Sequence, residues 1–188
     1  MKPDEKSVVI ITHANQKDFT RDFVSLPKEY GSSQYEARED IQAINAAVRE
    51  NLKKLDERIH FTNTIRNKKV IIKPNLVTVF HRLGMQGQDY PESTDPRVID
   101  AVVVFLQQFT NRIVIAESSG RGMPTTASFK IAGLDRLARV RGVELVALEE
   151  QPTDRYLLPK AKVMHEMVIP KLFLRSCAGK RSIFQSRK

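Results

Sequence analysis

The chain has 188 residues, 41% hydrophobic and 28% charged, enough apolar material for a folded core and too little bias for wholesale disorder. No apolar run approaches the roughly 20 residues of a membrane-spanning helix. Acidic residues precede the short apolar run near the N-terminus, which argues against a secretory signal, so the expected location is the cytoplasm. The single cysteine, Cys177, excludes an internal disulfide and any cluster held by several thiolates of this chain. The formal net charge of +9 is unevenly spread: five of the 31 basic residues (Arg175, Lys180, Arg181, Arg187 and Lys188) fall in residues 175–188, where no acid occurs. The other 26 face 22 acidic residues. Residues 175–188 therefore read as a basic, poorly patterned and solvated tail after a mildly basic body (1–174), and nucleic-acid binding is not the expected role.

In chain order, "SVVIITH" (7–13) is short, β-branched and without a 3.6-residue period, which predicts a first strand. The polar stretch 14–33 predicts an excursion over the surface. Ser33 and Glu36 have capping-box spacing. Behind them Ile41, Ile44, Val48, Leu52 and Leu55 recur every three or four residues, one apolar stripe of an amphipathic helix. "KVIIKPNLVTV" predicts the second strand. Asp95 before Pro96 marks a helix start, because proline loses no needed donor at the first helical position and holds its predecessor out of helical geometry. Ile99, Val102, Val103, Leu106 and Phe109 form the stripe that follows.

"RIVIAESS" predicts a third strand ending on Glu117. "TASFKIA" and "LDRLARVR" predict helices closed by Gly133 and Gly142. "VELVAL" predicts a fourth strand, and "EMVIPKLFL" begins as a fifth. Strand alternates with helix, and the connections are long enough for crossovers. The predicted fold class is α/β, a mostly parallel sheet covered by helices. Its patterning stops after Leu174, which leaves the sheet incomplete at its C-terminal end.

Ligands of open parallel sheets gather at the carboxyl ends of the strands. Three polar clusters fall there: Lys73-Pro74-Asn75, Thr94-Asp95, and Glu117-Ser118-Ser119-Gly120. Each has an ordinary structural reading. Lysine can snorkel to water, asparagine can turn the chain, and aspartate can cap a helix. Their shared edge predicts a ligand site of Lys73, Asn75, Thr94, Asp95, Glu117, Ser118, Ser119 and Gly120. Proline after Lys73 disfavours helical geometry there and so restricts the lysine's direction. "ESSGRGMPTT" lacks the spacing of a phosphate-binding P-loop and of a dinucleotide fingerprint. It reads equally well as an anion-holding loop or a hydroxyl-capped turn. His13, His60, His81 and His165 have no metal-ligand spacing, and only His13 falls at a predicted strand end. No metal is expected, and no Gly-x-Ser-x-Gly elbow marks a nucleophile.

"KKVIIKPNLV", "STDPRVIDAVVVFL", the segment from "IVIAESSGRG" to "LVALEE", and "MVIPKLFL" together resemble the domain-of-unknown-function family 362. The resemblance runs over roughly residues 7–174. It implies that the Lys-Pro-Asn, Thr-Asp-Pro and Glu-Ser-Ser-Gly elements recur as a set. Some members of that family carry a ferredoxin-like iron–sulfur segment. This chain has no cysteine cluster, so a cluster is not carried over. Family members usually continue into further strands and a second lysine-rich motif followed by histidine. Residues 1–174 are therefore read as the N-terminal part of a longer domain, from truncation or a reading-frame change.

Two functions follow. In the first, the domain binds a small anionic metabolite at the strand ends. Lys73 supplies positive charge, Asn75, Ser118 and Ser119 supply hydrogen bonds, and Glu117 or Asp95 moves a proton or touches a metal. In the second, a non-catalytic fragment or interaction module associates with another chain through an exposed sheet edge.

Overall fold

The computed structural model describes residues 8–14, 25–76, 93–118, 124–157 and 166–170. Between Val70 and Ala147 the described strands alternate with helices, as the sequence pattern requires. Strands β1 (Val70–Ile72), β2 (Ile113–Glu117) and β3 (Glu144–Ala147) form a parallel sheet in that order. The register pairs Val70 with Ile113 and Ile72 with Ile115 on one side, and Val114 with Glu144 and Glu117 with Ala147 on the other. All five residues of β2 are buried, as a central parallel strand requires, so its run of apolar residues is continuous rather than alternating.

Among the described residues six helices accompany the sheet: α1 (Ser33–Glu36), α2 (Glu39–Ile59), α3 (Phe61–Ile65), α4 (Pro96–Leu106), α5 (Thr125–Ala132) and α6 (Leu134–Arg141). The two-residue strand period sorts the side chains between two apolar clusters. Val70, Ile72, Ile113, Ile115 and Leu145 join a cluster with Ile41 of α2, Ile99, Val103 and Leu106 of α4, Phe129 of α5, and Leu134 and Leu137 of α6. On the opposite face Ile71 packs with Val114, Ala116, Val146 and Leu148. Burial of these side chains supplies the main favourable free energy of folding, roughly 25 cal/mol for each Å² of apolar surface removed from water.

Helix boundaries follow local chemistry. Asp95 caps α4 by accepting from the Arg97 amide at 2.8 Å, with Pro96 at the first helical position. α5 and α6 end on Gly133 and Gly142, both left-handed, at φ 75° and 67°. The stripe expected between Ile41 and Leu55 lies on α2, with Ile41 and Ile44 buried.

Several expectations need correction. Residues 8–14 carry no strand; they lie along α2, where Asn51 Nδ2 donates to Ile10 O at 3.0 Å and Thr12 Oγ1 to Ala47 O at 3.1 Å. Val9 and Ile11 remain exposed, at 77% and 76%. β-branched character alone, without a paired neighbour, does not make a strand. The cap of α1 is Ser32, not Ser33: its side chain accepts from the Tyr35 amide. The Glu36 carboxylate reaches Arg141 instead of the cap, and an extended Arg38 separates α1 from α2. Part of the expected surface excursion (14–33) is core, because Leu26 and Tyr30 are buried. Finally, the expected fifth strand exists as β5 (Glu166–Pro170) but pairs antiparallel with β4 (Thr153–Leu157) in a separate two-stranded sheet. Among the described residues no helix is long and apolar enough to cross a membrane.

Candidate functional site at the strand ends

Three parallel strands share one carboxyl edge, so the residue after each strand faces the same region. Lys73 directly follows β1, and Glu117 is the last residue of β2. Lys73 Nζ donates to both Glu117 oxygens, at 3.0 and 2.9 Å. The two partners differ in environment: the Glu117 side chain is 5% exposed and the Lys73 side chain 63%. The carboxylate is therefore the fixed member, and the ammonium faces solvent. Ser118 N also donates to Glu117 Oε1 at 2.8 Å, which orients the carboxylate from the β2 side. Pro74 is buried beside the exposed Lys73 and Asn75, so the chain breaker anchors the turn that presents the lysine.

Asn75 and Thr94 form a reciprocal pair. Asn75 N donates to Thr94 Oγ1 at 2.9 Å, and Thr94 N donates to Asn75 O at 2.7 Å. A bridge between Leu76 and Ser93 continues the contact. These bonds fasten the start of α4 to the exit of β1, so Thr94 has a positioning part. Asp95 has a different set of partners from Lys73. Besides capping α4, it receives the Arg97 guanidinium at 2.6 Å (Nη2 to Oδ2), and Arg97 Nη1 reaches Asp40 Oδ2 at 3.0 Å. Arg38 completes the group by donating to both Asp40 oxygens. The Asp95 carboxylate thus belongs to a network joining α4 to the start of α2.

The structure brings Lys73, Glu117 and Ser118 together and sets Asn75 and Thr94 beside them. Ser119 and Gly120 lie outside the described residues. His13 is exposed in a segment that does not join the sheet, so the reason for placing it at this edge lapses. Among the described residues no group of three or more His, Cys, Asp or Glu converges as a metal site.

One carboxylate at this edge escaped the sequence reading. Glu149 lies in the short 3-10 turn Leu148–Glu150 after β3 and accepts from the Thr125 amide at 2.8 Å. Burial raises its pKa, but bonds from the Thr125 side chain and amide, its own amide and the Ser118 side chain outweigh that and hold the carboxyl below its usual range. The strand-end rule that selected Lys73 and Glu117 applies equally to the "LEE" after "VELVA".

No curated protein and no solved structure matches the chain. The family model described as "Domain of unknown function (DUF362)" matches residues 70–177. The match begins at the first residue of β1 and takes in the parallel sheet and its carboxyl edge; residues 7–69 of the resemblance lie outside it. Because the matched segment is more than half of the chain, the protein belongs to the DUF362 family.

Proposed function

We propose that the chain binds a small anionic metabolite at the carboxyl ends of β1, β2 and β3. The observation that supports this most is the Lys73–Glu117 pair, which links the ends of two adjacent strands with a buried carboxylate and a solvent-facing ammonium. In this proposal the outer face of Lys73 receives the anionic group, with Asn75 and Ser118 at its flanks. A lysine hydrogen-bonded to a carboxylate is also an acid/base pair, each partner favouring the charged form of the other. The cytoplasm is the proposed location.

Removing Lys73 alone would strand a buried carboxylate, which lowers stability whether or not a ligand binds. The cleaner variant neutralises both partners, Lys73→Gln with Glu117→Gln, and keeps a hydrogen-bonding pair. It should lose anion binding in an NMR titration while its melting temperature stays close to wild type. Retained binding in a folded double variant would sink the proposal.

A second reading, a protein-interaction module, is favoured by the exposed apolar side chains of the β4–β5 hairpin, Leu157 at 74% and Val168 at 52%. Light scattering after size exclusion checks it: a concentration-independent monomer counts against self-association, and a dimer lost in Leu157→Lys supports it.

A further inference from the structure

Helix α5 starts at Thr125, a fully buried residue whose amide points at Glu149 Oε1. A helix N-terminus favours negative charge, because its first amides lack intrahelical acceptors and the helix dipole adds positive potential. In this fold the chain's own carboxylate meets that demand. Glu149 stands two residues after Ala147, which pairs with Glu117 in the β2–β3 register, so one carboxylate ties the start of α5 to the exit of β3, beside the end of β2. Ser118 gives its amide to Glu117. The carboxylates of Glu117 and Glu149 therefore follow adjacent strand ends, with the ammonium of Lys73 paired to the first of them.

That balance bears on what can approach. A ligand bearing one negative charge can meet Lys73 from its exposed side. A phosphate dianion would seek the α5 amide as well, and there it meets Glu149. We propose that Glu149 is a specificity-determining residue of the strand-end site: it keeps the α5 amide occupied and restricts the ligand's anionic group to a single charge, a carboxylate and not a phosphate. This rests on the strand-end binding reading above and narrows it to a substrate class.

The test titrates the full chain and its Glu149→Gln variant with acetate and with inorganic phosphate, following the Ser118 and Thr125 amides by NMR. Glutamine keeps an oxygen for the Thr125 amide and removes only the charge. Wild type should bind acetate more tightly than phosphate. Glu149→Gln should strengthen phosphate binding by about three- to tenfold, the effect of removing one unit charge from a partly screened site, and acetate binding by less. A wild-type preference for phosphate, or phosphate affinity unchanged in the variant, overturns the role of Glu149 while leaving the strand-end site standing. Absence of saturable binding by either anion in wild type overturns the site, and this inference with it. The wild-type comparison decides the matter on its own should the variant not fold.

Discussion

At the scale of single residues, the buried carboxylates of Asp40, Asp100 and Glu117 each have a cationic partner, and the partners decide what a substitution does. Asp100 on α4 is almost fully buried. It accepts from Arg141 Nε at 2.7 Å, Arg141 Nη2 at 2.9 Å and the Tyr30 hydroxyl at 2.7 Å. Burial, reinforced by the Asp100 carboxylate, pushes the Tyr30 phenol well above its ordinary pKa, so it stays a donor. Arg141→Ala should cost about 3 kcal/mol in urea unfolding, because a buried carboxylate then keeps only one of its three bonds. A loss under about 1 kcal/mol would show that water replaces the guanidinium. None of this network was legible in the sequence. Asp100 falls at a position that reads as an ordinary helical aspartate, and its partners lie 41 and 70 residues away.

Among the elements, the two glycines that close α5 and α6 make contrasting predictions from the same backbone conformation. A Cβ on Gly142 would meet nothing within 4 Å, whereas one on Gly133 would come within 3.0 Å of Leu26 Cβ and 2.7 Å of Arg136 Nη2. Gly142→Ala should cost about 1 kcal/mol, the strain of a left-handed alanine. Gly133→Ala should cost about 3 kcal/mol, since overpacking against Leu26 adds to the strain. Equal losses would mean that the Leu26 segment yields freely.

The joint between α1, α2 and α4 makes a pH prediction. Hydrogen bonds from Arg38 hold Asp40 below its usual pKa; burial opposes them, and Arg97 adds attraction. A carboxylate whose folded pKa is depressed contributes stability that is complete above its unfolded value of about 4 and disappears as pH falls through the folded value. Unfolding midpoints should therefore hold steady above about pH 5 and decline below about pH 4. Asp40→Asn should make that decline shallower, and an unchanged slope would remove Asp40 from the linkage.

Across the whole molecule, stability is unevenly distributed. β2 is central and buried throughout, whereas β4 and β5 pair only with each other in a two-stranded sheet and carry exposed Leu157 and Val168. Isolated two-stranded sheets are marginal in water. Hydrogen exchange should show the amides of Val114 and Ile115 opening only with global unfolding, while those of Arg155 and Val168 exchange through local opening at much lower free energy. Equal protection would mean that the hairpin unfolds as one unit with the parallel sheet.

The amino-acid sequence by itself determined the parts of this protein that depend on near neighbours. The Asp95-Pro96 start of α4, the glycine ends of α5 and α6, the apolar stripes and the polar residues at strand ends all follow from local backbone chemistry and periodicity. Lys73 and Glu117 could be named because a strand end is a local feature. Only the tertiary structure decided who partners whom. It paired Lys73 with Glu117 across 44 residues, bridged Asp95 to Asp40 through Arg97, and brought Glu149 to the start of α5. It also laid residues 8–14 against α2 and placed β5 outside the parallel sheet. The physical reason is that hydrogen bonds and ion pairs are satisfied by whatever group the packing brings within about 3 Å. That proximity is set by the assembled core and not by spacing along the chain.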